Sequence, residues 1–206
     1  KNLEGTIKIG FIQDFSTSFD ITEAIINFQN LYPKIKLDIR LGTSQSIEND
    51  LFSNTIDFGF LINFKHSRHI KKIPVMEEKH FLSAHREIMI KNNSFKEIKD
   101  LFNERLVDLN TDFISLKVWL AKFYPKTKKY LNETTPNISM PSFVLNKDLI
   151  VKGHAIGILP EKYINLDRSI KTIPENKEKF LTVRLDLAYR KAKKISAAEK
   201  VFRDFF

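Results

Sequence analysis

The most constraining feature of the chain is the order in which two hydrophobic periodicities alternate over its first 62 residues. Residues 6–12 carry Ile7, Ile9 and Phe11 at every second position, the period of a strand. Ile21, Ala24, Ile25, Phe28 and Leu31 then recur at helical spacing. Asp20 and Glu23, three apart, form a helix-start pair, and Tyr32-Pro33 ends the helix, since proline disfavours α geometry in the residue before it. Ile35, Leu37, Ile39 and Leu41 alternate with Lys36, Asp38 and Arg40, predicting a half-buried strand. Gly42-Thr43-Ser44 is a turn, Ile47, Leu51 and Phe52 suit a short helix, and residues 56–62 are apolar apart from Asp57 and Gly59. A nearly uniform apolar run suits a central parallel strand. Strand, helix, strand, helix, strand implies right-handed crossovers in one mostly parallel sheet.

A second series follows a polar, basic loop at residues 63–72. An extended run spans residues 73–84 and a short helix residues 95–102. A strand at 106–109 leads through a polar turn at 110–112 to a helix carrying Leu116, Trp119, Leu120 and Phe123. A short strand covers 138–140. A helix starting at Pro141-Ser142 bears Val144, Leu145, Leu149 and Ile150 and ends at Gly153, a natural left-handed cap. Residues 156–159 form a strand stopped by Pro160. Leu181, Val183, Leu185, Leu187 and Tyr189 make the longest alternating run, and Ala198, Val201, Phe202 and Phe205 a last amphipathic helix.

Two α/β series without a Gly/Ser/Pro-rich linker predict two lobes joined by strands that cross between them. The candidates are residues 73–84 and 180–189. Crossing twice would put residues 1–75 and 185–206 in lobe I and 76–184 in lobe II, leaving a cleft. In open α/β sheets, ligands sit beyond the carboxyl ends of the strands, where helix N-termini attract anions. The turns there carry hydroxyls: Ser16, Thr17 and Ser18; Thr43 and Ser44; Thr111 and Ser115. Each is also an ordinary N-cap, worth about 1 kcal/mol. Their recurrence after successive strands favours a small anionic ligand.

Composition narrows the function classes. The 206 residues contain no cysteine, so disulfides and thiolate metal sites are excluded. No apolar run approaches the roughly 20 residues that cross a bilayer, and no signal peptide is visible at the start; a cytoplasmic location is expected. The net charge of +9 raises nucleic-acid binding. The lysines, however, are scattered or beside turns, and no RNA-binding aromatic motif or zinc-finger spacing accompanies them, so a solvated surface is the expectation. His66 and His69, three apart with Arg68 and Lys71 beside them, do not make a metal site. His80, His85 and His154 are isolated, and surface or structural roles are expected for them. Glu77 and Glu78 point to opposite faces of a strand and read as a solvated edge. No Ser-His-Asp or Cys-His set is present, so no catalytic residue, cofactor or enzyme activity is expected.

Several stretches, in order, carry a resemblance. EGTIKIG (Glu4 to Gly10), FQNLYPKIKLDIRLG (Phe28 to Gly42), IDFGFLI (Ile56 to Ile62) and IPVMEEKHFLSAH (Ile73 to His85) are followed by SFVLNKDLIVKGHAIGILP (Ser142 to Pro160) and LAYRKAKKISAAEKVFRDFF (Leu187 to Phe206). Together they resemble the effector-binding domain of LysR-type transcriptional regulators. Ala155 stands where the family has a second glycine, His85-Arg86 lacks the following Pro-Leu, and the family's N-terminal winged helix-turn-helix is absent from this chain. The resemblance implies an α/β fold of two Rossmann-like lobes joined by two crossover strands, the type 2 periplasmic-binding-protein arrangement. It implies a homo-oligomer built through the helix Asp20–Asn30 against the partner's strand-helix region Ile35–Leu51, with DNA contacted only through the missing N-terminal domain. Carried over, the effector contacts are Ser16, Thr17, Ser18, Thr43, Ser44, Ile62, Asn63, Thr111, Asp112 and Ser115. The alternatives are a transporter's solute-binding protein of the same fold and an enzyme acting on small acids.

Overall fold

A computed structural model describes residues 3–12, 21–62, 68–112, 114–127, 130, 134–191 and 194–206. The chain forms two compact units. Unit 1 comprises Lys1–Glu77 and Val183–Phe206, and unit 2 comprises Glu78–Thr182. Both boundaries fall inside strands, β4 (Ile70–His85) and β9 (Phe180–Arg190), which are neighbours in the hydrogen-bonded order.

In unit 1, β1 (Gly5–Ile12) lies between β2 (Ile35–Gly42) and β3 (Phe58–Ile62) and is parallel to both, with Ile12 opposite Gly42 and Phe11 opposite Phe60. β3 pairs antiparallel with β9, Phe60 opposite Leu187. Helix α1 (Ile21–Leu31) and the C-terminal helix α7 (Ala197–Phe205) pack on one face of this sheet. Phe28 lies 5.1 Å from both Tyr32 and Phe202, ring centre to ring centre, and Phe58 5.0 Å from Phe202. A capping box at Ser196 and Glu199 starts α7. Helix α2 (Ser44–Phe52) covers the opposite face, burying Ile47 and Leu51 against Ile56, Leu61, Ile70 and Ala188. It sits low because Gly10 and Gly59 have no side chain: a Cβ on Gly59 would lie 2.9 Å from both Ile47 and Leu51.

In unit 2 the order is β4, β7 (Ile156–Pro160), β5 (Leu106–Asp108), β6 (Ile138–Ser139), with β8 (Ile170–Thr172) also on β4. β5, β6 and β7 are mutually parallel where they pair, and β4 runs against β7 and β8. Helix α3 (Arg86–Lys91) follows β4 directly. Helix α4 (Ile114–Phe123) buries Leu116, Trp119 and Leu120 against Leu82, Leu106 and Ile158, and the Trp119 indole donates to the Lys179 carbonyl at 3.1 Å. On the other face, α5 (Phe143–Val151) and α6 (Glu161–Leu166) bury Phe143, Ile150, Tyr163 and Ile164 against Phe81, Val107 and Leu159.

Several local expectations are corrected. β4 starts at Ile70, inside the loop expected at 63–72. The helix expected at 95–102 is two 3-10 turns, Asn93–Phe95 and Ile98–Asn103, and α3, α6 and β8 were not anticipated because each is six residues or fewer. In α5 the buried side chains are Phe143, Asn146 and Ile150, while Val144 and Leu145 are exposed. Gly153 does take the left-handed conformation, φ +65°. β2 is not buried along its apolar face: Ile35 is, but Ile39 is 38% and Leu41 62% exposed, because β2 is the sheet edge and nothing in the described residues covers its far end. The Asp20–Glu23 pair falls partly outside the described residues.

Candidate functional site

Because β1, β2 and β3 are parallel, their carboxyl ends share one edge of unit 1. Gly42 and Ile62 end β2 and β3 there, and the expected contacts Thr43, Ser44 and Ile62 follow or form those ends. Thr43 caps α2 in extended geometry, its hydroxyl accepting from the Ser46 N–H at 3.1 Å. The Ser46 hydroxyl returns a bond to the Thr43 carbonyl at 3.0 Å. Gly42 is required by this turn, since a Cβ there would meet Ser46 Oγ at 2.5 Å. The Ser44 and Gln45 N–H groups point out of the first helical turn and by helix geometry have no intrahelical acceptor. Thr43 is exposed and Ser44 half-buried, so the α2 N-terminus lies at the carboxyl edge of three parallel strands, the edge at which open α/β sheets in general bind ligands. Ser16, Thr17, Ser18 and Asn63 lie outside the described residues.

The turn of unit 2 is built differently. Thr111 and Asp112 are exposed and follow the carboxyl end of β5, where they were expected, but the first turn of α4 is already occupied. Asp108, 3% exposed, accepts from the Leu116 N–H at 3.2 Å through one oxygen and from the Leu109 N–H at 2.6 Å through the other. Both the hydroxyl and the N–H of Ser115 also donate to it. Asn110 accepts from the Asp112 N–H at 3.1 Å and the Ile114 N–H at 3.5 Å. Burial raises the Asp108 carboxyl above the ordinary aspartate value, against the pull of the Leu116, Leu109 and Ser115 donors. Asp108 was missed in the sequence because it stands inside an apolar strand run.

One histidine reading changes. His80 is not isolated: its Nε2 lies 3.0 Å from Glu78 Oε2, both side chains are 6% exposed, and its ring meets Phe143 edge-on at 5.3 Å. Glu78 is therefore no solvated edge. Positions i and i+2 share a strand face, which is the signal that could have found the pair. His85 caps α3, its Nδ1 accepting from the Glu87 N–H at 3.3 Å. His66 lies outside the described residues, and His69 accepts from Arg68 Nε at 3.2 Å. Among the described residues no group of three or more His, Cys, Asp or Glu side chains could hold a metal ion, and no helix is long and apolar enough to cross a membrane. A cavity of about 430 Å³ in unit 1 is rimmed by Lys71, Lys72, Arg184 and Lys191. Its buried Asp186 is already paired with Arg184, Nε to Oδ1 at 2.8 Å.

Comparison with known proteins gives a consistent answer. The family described as the LysR substrate binding domain matches residues 1–206. Among solved structures, the regulatory domain of CrgA, a LysR-type transcriptional regulator from Neisseria meningitidis, superposes with a TM-score of 0.75 at 15% identity, covering 98% of this chain and 97% of that one. The cofactor-binding domain of the Cbl transcriptional regulator gives 0.74 at 15% identity, covering 100% and 88%. The effector-binding domain of QuiR, in complex with shikimate, gives 0.70 at 18% identity, covering 98% and 95%. No curated protein matches. At these identities the structural likeness establishes the fold, an α/β arrangement with a mixed sheet of the type 2 periplasmic-binding-protein kind. The transporter alternative is not favoured. The family match over the full length decides the assignment: the chain belongs to the LysR substrate-binding domain family.

Proposed function

We propose that the chain is the small-molecule sensing domain of a LysR-type DNA-binding transcriptional regulator, working in the cytoplasm without catalysing a reaction. The ligand is an anionic metabolite. Its negative group is held by the N-terminus of α2, with the Thr43 and Ser44 hydroxyls and the Ser44 and Gln45 N–H groups as donors. Ile62, Asn63 and the residues Ser16 to Ser18 complete the site in unit 1, and the residues Thr111, Asp112 and Ser115 of unit 2 are a second, separate candidate. The observation that carries this reading is the exposed Thr43 cap of α2 at the carboxyl edge of three parallel strands. Ligand binding shifts the lobes and the oligomer geometry, re-aiming DNA-binding domains that precede this one.

The chain pairs with a second copy through the helix Asp20–Asn30 and the region Ile35–Leu51. The support is an apolar set left uncovered on these elements: Ile26, Leu31, Ile39 and Leu41 are 53%, 56%, 38% and 62% exposed. A thermal-shift screen of the purified chain against small carboxylates, sulfate and uncharged metabolites tests the sensing role. A ligand at 100 times its dissociation constant stabilises by about 2.7 kcal/mol, so at least one anion is expected to raise the melting temperature by several degrees. Stabilisation only by uncharged metabolites would count against the anionic assignment, and stabilisation by none against sensing.

A further inference from the structure

The face of the unit 1 sheet that α2 covers extends beyond that helix. Side chains alternate along a strand, so Ile70 and Lys72 of β4 share a face, as do Ala188, Asp186 and Arg184 of β9. Ile70 and Ala188 are buried with Ile47 and Leu51 of α2. Beside them the sheet opens into the cavity of about 430 Å³ that Lys72, Asp186 and Arg184 line. Lys71 and Lys191 add to its rim, the Lys191 N–H donating to the His69 carbonyl at 2.9 Å where β9 ends beside β4. The volume falls within the roughly 300–1,000 Å³ of small-molecule sites. Thr43, Ser44 and Ile62 are not among its described lining residues.

The buried carboxylate in this cavity, Asp186, is 2% exposed. Arg184 answers its charge, Nη2 donating to Oδ2 at 3.2 Å. Oδ1 lies 2.8 Å from Arg184 Nε without hydrogen-bond alignment, and no other donor reaches it among the described residues. An ionised carboxylate oxygen only accepts, so this buried atom is completed by a donor arriving from the cavity. Glu77 adds to the negative charge around Arg184, which leaves the lysines as the surplus charge. Lys71 and Lys191 are exposed and form no ion pair among the described residues. A concavity lined by one sign of charge concentrates ions of the other. The same surplus repels an ammonium, so the donor that suits Asp186 is a hydroxyl. We infer that this cavity binds a small dianion that carries a hydroxyl. The lysines hold its anionic groups, and Asp186 Oδ1 accepts from the hydroxyl. This is a ligand site of unit 1 that stands without the α2 assignment.

The test uses two matched pairs of probes, malate with succinate and glycerol phosphate with propyl phosphate, the second of each pair lacking the hydroxyl. Calorimetry gives the affinities, and backbone amide resonances of the whole chain locate the site. At least one hydroxylated probe is expected to shift the amides of Lys71, Lys72 and Asp186. It should bind at least tenfold more tightly than its partner, because the partner forgoes a bond to a charged acceptor. The pair that binds tells a carboxylate ligand from a phosphate ester. Lys71→Gln combined with Lys191→Gln removes two exposed charges and is expected to weaken the same probe at least tenfold while the melting temperature holds. No shift at these amides with either hydroxylated probe, equal affinities within the pair that binds, or a double variant binding as tightly as wild type would overturn the inference. Shifts confined to Ser44 and Gln45 would overturn it too while supporting the α2 assignment. Shifts at the β4 and β9 residues with none at Ser44 and Gln45 support the cavity and count against α2.

Discussion

His80→Ala should be one of the most damaging single truncations in unit 2. The Glu78 carboxylate is 6% exposed, and His80 Nε2 at 3.0 Å is its partner through Oε2, while Oε1 is buried without a hydrogen bond. Removing the imidazole leaves a carboxylate that water barely reaches. Breaking a buried pair by deleting one member costs about 3–5 kcal/mol. The lost edge-on contact with Phe143 adds roughly 0.5–1.5 kcal/mol. In a chain of this size each kcal/mol moves the midpoint by about 2–4 °C, so the melting temperature should fall by roughly 7–25 °C. Replacing both residues with leucine should recover most of the loss, because exchanging a buried pair for apolar side chains is often neutral or stabilising. Urea unfolding of wild type, Glu78→Leu, His80→Leu and the double-leucine variant closes the cycle. A His80→Ala protein melting within about 2 °C of wild type would refute the reasoning, since the pair would then be solvated or uncoupled.

Other outcomes follow from the same geometry. The folded-state pKa of Asp108 is raised, so between the unfolded value and that raised value the native state holds a proton the unfolded chain has released. This group's contribution therefore makes stability fall as pH rises through that window, and urea titrations should show Asp108→Asn lacking this component. Leu41→Asp should weaken the pairing proposed through Ile35–Leu51, read by sedimentation, with little change in the melting temperature of the single chain because Leu41 is 62% exposed. Gly59→Ala should cost about 1–3 kcal/mol in urea unfolding, since its Cβ would press on Ile47 and Leu51.

The sequence carried most of the architecture because its long elements have strong periods. The alternation around Ile7 and that around Leu185 each mark a sheet strand, and the spacing of Leu116, Trp119 and Leu120 marks the buried face of α4. Short elements lack that repetition, so α3, α6 and β8 were invisible. Alternation also says nothing about what covers a face. Leu37 and Leu41 repeat alike along β2, yet only the first packs against the unit 1 core. At the site, the hydroxyls of Thr43 and Ser44 were legible as turn residues beside a strand end. Asp108 was not, because one carboxylate within Leu106 to Leu109 reads as a strand, and its role depends on α4 folding back over it. Glu78 and His80 carry no joint signal as single residues, and only their common strand face unites them.

The central claim is that an anionic ligand seats on the N-terminus of α2, and calorimetric titration of Thr43→Ala with the ligand found by screening tests it most directly. Loss of the cap costs about 1 kcal/mol of stability, or roughly 2–4 °C. Loss of a hydrogen bond to a charged group costs about 1.5–3 kcal/mol of affinity, a drop of tenfold or more. A folded Thr43→Ala protein binding at least tenfold more weakly is the predicted result. Unchanged affinity would contradict the account and move the ligand elsewhere.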